Sequence, residues 1–167
     1  MRIVTWNVNS LPSRMPRMLV WLQVMKPDVL CLQETKISDE QFPYEELADL
    51  GYEAVHRGDG RWNGVAILSR VGLEEAVIDL PGVCGFPAED DPPEPRFLSA
   101  VCGGFQVACV YVPNGRTLDN PHYLYKLRWL SALHRFASAP AAGDRPFAIL
   151  GDFNVAPDDE DVWDMAA

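Results

Sequence analysis

Residues 147–157 read FAILGDFNVAP. Phe147 to Leu150 form the short apolar run of a buried strand, which Gly151 is expected to break before Asp152, Asn154 and Pro157. A carboxylate and an amide are thus delivered where a strand opens into a turn. If the extended backbone continues past Gly151, alternation sets Asp152 and Asn154 on one side, where both could reach one ion or one phosphate. Asp and Asn also cap turns and helices, and taken alone the stretch reads as a cap.

The same pattern, an apolar run with polar groups at its end, recurs upstream. Arg2 to Asn7 alternates, is rich in β-formers and stops at an amide. Val29 to Leu32 delivers Gln33 and Glu34. Phe97 to Cys102 and Phe105 to Val112 form a hairpin about Gly103-Gly104, and the second strand brings up Tyr111, then Pro113, Asn114 and Gly115. Between these runs, Met15, Met18, Leu19, Leu22 and Met25 predict a helix capped by Ser13 and stopped at Lys26-Pro27. A longer helix is expected after Asp119 or Asn120, with Pro121 in its first turn, a buried face of Leu124, Leu127, Leu130, Leu133 and Ala137, and an end at Pro140.

Phe42 to Leu50 reads as a short helix. Tyr52 to His56 and Gly64 to Ser69 read as a hairpin, with His56 on a half-exposed face and Trp62 and Asn63 at the tip, where they are candidates for substrate contact. Leu73 to Leu80 is a weaker strand, and 81–95 is a proline-rich acidic loop. Strands interspersed with helices and hairpins give an α/β (α+β) chain with a mixed sheet flanked by helices.

With 167 residues, 48% of them hydrophobic, the chain can bury a core as one domain, 1–167. No apolar run approaches membrane-spanning length, so a soluble chain with no membrane partner is expected. Cys31, Cys84, Cys102 and Cys109 lack CxxC spacing and mostly lie in apolar runs, which points to reduced thiols and a cytoplasmic protein. A net charge of -10 opposes a nucleic-acid partner, because phosphate binding relies on basic surface. Much of that excess sits in 89–94 and 158–164, which leaves room for a local basic or metal-bearing cleft. Asn7, Glu34, Tyr111, Asp152 and Asn154 all stand at strand ends. Together they supply oxygen ligands of the kind a hard divalent cation takes, and the oxygen-only character favours Mg2+ or Mn2+ over zinc.

WNVNSL (6–11), KPDVLCLQETK (26–36), NGVAILSR (63–70), YVPNG (111–115) and GDFNVAP (151–157) resemble, in order, the exonuclease III type of abasic-site endonuclease, within the endonuclease/exonuclease/phosphatase superfamily. The resemblance implies a two-sheet α/β sandwich with its site at one rim, cutting double-stranded DNA at abasic sites and trimming 3′ ends. It implies Glu34 as the principal metal ligand with Asn7, Asp152 and Asn154 around the ion. It also implies Tyr111, Asp152 and Asn154 as catalytic groups and Arg96 as a substrate contact, to which the strand-end Asn114 and the loop-tip Asn63 are added as candidates.

The family's later Asp-His pair has no counterpart in this sequence. His56, His122 and His134 are its histidines, and none stands in such a motif. The domain is therefore expected to be incomplete, an N-terminal part with the second sheet largely missing, one sheet face exposed and activity impaired. A partner or a second copy could cover that face. A non-catalytic metal- or DNA-binding remnant and a superfamily phosphatase or phosphodiesterase are the alternatives.

Overall fold

Residues 1–162 are described by a computed structural model of the chain. Its first unit is β1 (Ile3–Asn7), α1 (Leu11–Met25) and β2 (Val29–Gln33), with the two strands parallel and in register from Ile3–Val29 to Asn7–Gln33. The helix begins at Leu11, before Ser13, because Ser10 and not Ser13 takes the cap position. Past it come α2 (Tyr44–Ala48), β3 (Glu53–Arg57), β4 (Val65–Ser69), β5 (Glu74–Ile78), β6 (Phe97–Cys102), β7 (Phe105–Tyr111), α3 (Pro121–Ala142) and β8 (Phe147–Asp152). The predicted helix over 42–50 is shorter and follows a 3-10 turn at Asp39–Gln41.

Two four-stranded mixed sheets result, ordered β1-β2-β4-β3 and β5-β6-β7-β8. The expectation that the second sheet is largely missing is therefore corrected: the runs at 74–78, 97–102, 105–111 and 147–152 pair with one another and build it.

Side-chain alternation sorts the layers. In β2, Leu30 and Leu32 pack on Met18 and Leu22 of α1, while Val29 and Cys31 point the other way, onto Leu98 and Cys109 of the second sheet. In β7, Val107 and Cys109 face the first sheet, and Ala108 and Val110 face Tyr125 and Trp129 of α3. Helix, sheet, sheet and helix thus stack in four layers, the arrangement that covers both faces of each sheet. The expectation of an uncovered face is corrected accordingly. The edges stay unpaired: among the described residues β1 pairs only with β2 and β8 only with β7, and these two edges lie against each other across the sandwich, as β3 and β5 end the other side.

The buried face of α3 differs from the leucine series. Tyr125, Trp129, Ala132 and Leu133 are buried, whereas Leu124 and Leu127 are 60% and 43% exposed. The reason is geometric: steps of three residues drift round a helix of 3.6 residues per turn, while 125, 129, 132 alternates steps of four and three and stays on one side. Asn120 caps the helix by accepting from the His122 amide, and Pro140 lies within its last turn instead of ending it.

Cys31, Cys102 and Cys109 are buried free thiols, and Cys84 is exposed. No helix of the described residues is long and apolar enough to cross a membrane.

Truncating Trp129 to Ala should cost about 3–5 kcal/mol in urea unfolding, the range for a fully buried large aromatic. Leu124→Ala should stay within about 0.5 kcal/mol of wild type. Equal costs at the two positions would refute this placement of the helix.

Candidate active site

The ends of β1, β2, β7 and β8 meet at one rim. β8 does not stop at Gly151: it continues to Asp152, which pairs in register with Tyr111, just as Asn7 pairs with Gln33. Gly151 is required for closeness rather than for a break. A Cβ there would stand 1.9 Å from the Val110 carbonyl oxygen, so only glycine lets β8 lie this tight on β7.

Asn7 joins the two halves of the rim. Its Nδ2 donates to Glu34 Oε1 at 2.7 Å and to Asp152 Oδ2 at 2.9 Å, so one amide group holds two carboxylates that would otherwise repel. Glu34 follows β2 in a left-handed conformation, φ 55°. Its Oε2 lies 2.9 Å from Lys36 Nζ. Burial would raise the Glu34 carboxyl, but the Asn7 and Lys36 hydrogen bonds and the Lys36 charge hold it below the usual carboxylate range. Tyr111 faces Glu34, and burial first, then the Glu34 charge, pushes the pKa of its phenol up to about 12.

Asp152 and Asn154 do not share a side through alternation. Asn154 is left-handed, φ 48°, and its N–H donates to Asp152 Oδ1 at 2.9 Å. Asp152 therefore caps the turn with one oxygen and reaches Asn7 with the other, so both readings of the stretch hold together. The Asn154 side chain donates to the Val112 carbonyl at 2.9 Å.

Arg96 is buried, with its guanidinium carbon 4.7 Å from the centre of the Tyr111 ring and its Nε donating to Glu94 at 2.9 Å. Asn63 donates to the same Glu94 at 3.1 Å, so Arg96 and Asn63 form one unit beside Tyr111. Asn114 stays apart, accepting from the Arg116 amide within its own loop. Next to the site lies a cleft of about 600 Å³ lined by Trp62, Asn63, Phe86, Arg96, Arg116 and His122 among others.

Two lysines were not among the sequence candidates. Lys36 pairs with Glu34 and donates to Asn9 Oδ1 at 2.5 Å, and Lys126 of α3 donates to the Asn154 carbonyl and feels the Asp152 charge. Lys36 was legible as the last letter of LQETK. Lys126 carried no signal, since a lone lysine on a helix is ordinary. The pair offsets the two carboxylates locally in a chain of net charge -10.

Residues 4–167 match the Endonuclease/Exonuclease/phosphatase family. The sequence is 30% identical over 167 residues to exodeoxyribonuclease III of Haemophilus influenzae, across 97% of this chain and 60% of that protein. The 3′ phosphatase NExo from Neisseria, solved bound to a product DNA hairpin, is similar with a TM-score of 0.89 and 38% identity, over 98% of this chain and 62% of that one. An AP endonuclease from Archaeoglobus fulgidus is similar at 0.83 and 36%, over 95% and 59%. The chain spans about 60% of the length of these relatives.

Replacing Asn7 by Ala should remove the shared donor and lower stability by about 1–3 kcal/mol, measured by denaturant unfolding. The Tyr111 pKa is raised in the folded state, so its contribution is full below the ordinary tyrosine value near 10 and fades as pH rises through about 12. Tyr111→Phe should therefore flatten the alkaline loss of stability in that window, and an unchanged pH profile would contradict the assignment.

Proposed function

Because the chain belongs to the Endonuclease/Exonuclease/phosphatase family, we propose that its rim site serves metal-dependent hydrolysis of DNA phosphodiesters in repair, at abasic sites and at 3′ ends. The observation that carries this reading is the single Asn7 amide bridging Glu34 and Asp152, with Tyr111 in register opposite Asp152. Residues from positions 7, 34, 111 and 152 form one oxygen-rich surface.

The donor set fits a hard cation. Among the described residues no three His, Cys, Asp or Glu side chains gather as a metal cage. Two carboxylates and amide oxygens suit Mg2+ or Mn2+, which bind through one or two carboxylates and keep waters and substrate phosphate. The Lys36 ammonium at Glu34 Oε2 supports the reading of Glu34 as a cation-accepting carboxylate. Glu34 would hold the ion, with Asn7, Asp152 and Asn154 beside it. Bound there, the ion would screen the phosphate and stabilise the leaving oxygen.

The remaining chemistry belongs to the side chains. Asp152 accepts the proton of the attacking water, a general-base role worth roughly 10²–10⁴-fold. Tyr111, protonated at neutral pH, donates a hydrogen bond to a non-bridging phosphate oxygen and does not act as a phenolate. Asn154 takes a similar part, with its side chain turning from the Val112 carbonyl towards substrate. Arg96 and Asn63, locked to Glu94, form one wall of the cleft, and Arg116 and the exposed Trp62 offer a cation and a stacking surface for DNA. The same surface supports a second reading, removal of 3′ phosphates, favoured by the similarity to the Neisseria phosphatase. A cytoplasmic protein acting on its own DNA accords with the free cysteines.

Saturating Mg2+ should raise the unfolding free energy of the chain, by about 2.7 kcal/mol at a hundredfold excess over its Kd, and Glu34→Gln should abolish the gain. Duplexes carrying either an abasic analogue or a 3′ phosphate should be hydrolysed, slowly, only with Mg2+. Asp152→Asn should lower that rate by roughly 10²–10⁴-fold. Absence of any Mg2+-dependent stabilisation in wild type would sink the reading.

A further inference from the structure

Glu34 owes its aim to the residue after it. Thr35 is fully buried between two left-handed residues, Glu34 at φ 55° and Lys36 at φ 51°. Neither is glycine, so that backbone must be imposed by its surroundings.

All the polar groups of Thr35 are engaged. Its N–H donates to the Gly64 carbonyl at 3.2 Å, and its carbonyl accepts from the Leu11 amide at 2.9 Å. Its hydroxyl lies 2.8 Å from His56 Nε2. Gly64 makes room for this contact, since a Cβ there would stand 2.1 Å from Thr35 Oγ1.

His56 lies far from the half-exposed face expected of it. It is 3% exposed, with its ring stacked on Phe42 at 4.2 Å and 19°. Its Nδ1 is 2.8 Å from Asp39 Oδ1, close in distance but off the line of a directed hydrogen bond, and the same oxygen accepts from the Gly58 amide at 2.7 Å.

We propose that His56 is a positioning residue: by accepting the Thr35 hydroxyl at Nε2 it locks the left-handed turn that points Glu34 at Asn7. Burial, against the pull of Asp39, lowers its pKa to about 4, so the ring is neutral at pH 7. A neutral ring carries one proton. The Asp39 carboxylate 2.8 Å from Nδ1 is negative and can only accept, so its charge favours the proton on that nitrogen and leaves Nε2 as the acceptor. The inference rests on the proposed function only in making the aim of Glu34 matter.

The test uses the full chain in nuclear magnetic resonance, without metal. In wild type, long-range nitrogen correlations should show Nε2 unprotonated; a ring protonated there overturns the proposal even if no variant folds. Thr35→Val and His56→Gln should each shift the Asn7 side-chain amide signals and change the backbone couplings that report φ at Glu34 and Lys36, while Thr35→Ser restores both. Variants that melt earlier yet keep these signals would reduce His56 to core packing and refute it. Mg2+ binding should then weaken about 10–100-fold in Thr35→Val and His56→Gln. Failure of wild type to bind Mg2+ would defeat the functional reading and leave the resonance outcome standing.

Discussion

Two carboxylates share one amide at the rim of the sandwich, and most of the architecture serves to keep them there. Glu34 and Asp152 come from the ends of strands in different sheets and lie far apart in sequence. Two carboxylates that reach the same amide repel unless donors intervene. Asn7 intervenes because β1 is parallel to β2 and lies against β8, so its last residue arrives between the two acids. The parallel pairing of β7 with β8 then sets Tyr111 opposite Asp152.

The buried layers give this rim its rigidity. Gln33, 1% exposed, donates to Thr5 at 3.0 Å and to Cys109 at 3.3 Å, so it ties the strand that leads to Glu34 to the strands that lead to Asn7 and Tyr111. A buried amide that satisfies its partners in this way specifies one register where hydrophobic contact alone would tolerate several.

Much of this was legible in the letters. Short apolar runs ending in Asn7, Glu34, Tyr111 and Asp152 gave the strands, and their rank order gave the family resemblance. Four things were hidden, each for a physical reason. Leu124 and Leu127 look like a helix face only if the drift of a three-residue step is ignored. Gly151 resembles a breaker because the letter does not say whether glycine is needed for a bend or for close approach. The burial of His56 depends on Phe42, Asp39 and Thr35, which tertiary folding gathers from separate elements. Lys126 was invisible for the same reason, since only the return of α3 over the second sheet brings it to Asn154.

Three of the four thiols are sealed inside strands, and the fourth, Cys84, stands in solvent on the loop that also carries Phe86 and Glu94 to the cleft. The native chain therefore offers a single attachment point for a maleimide dye, near the surface proposed to meet DNA. Labelling there would follow ligand arrival optically, with no engineered cysteine and no disturbance of the rim.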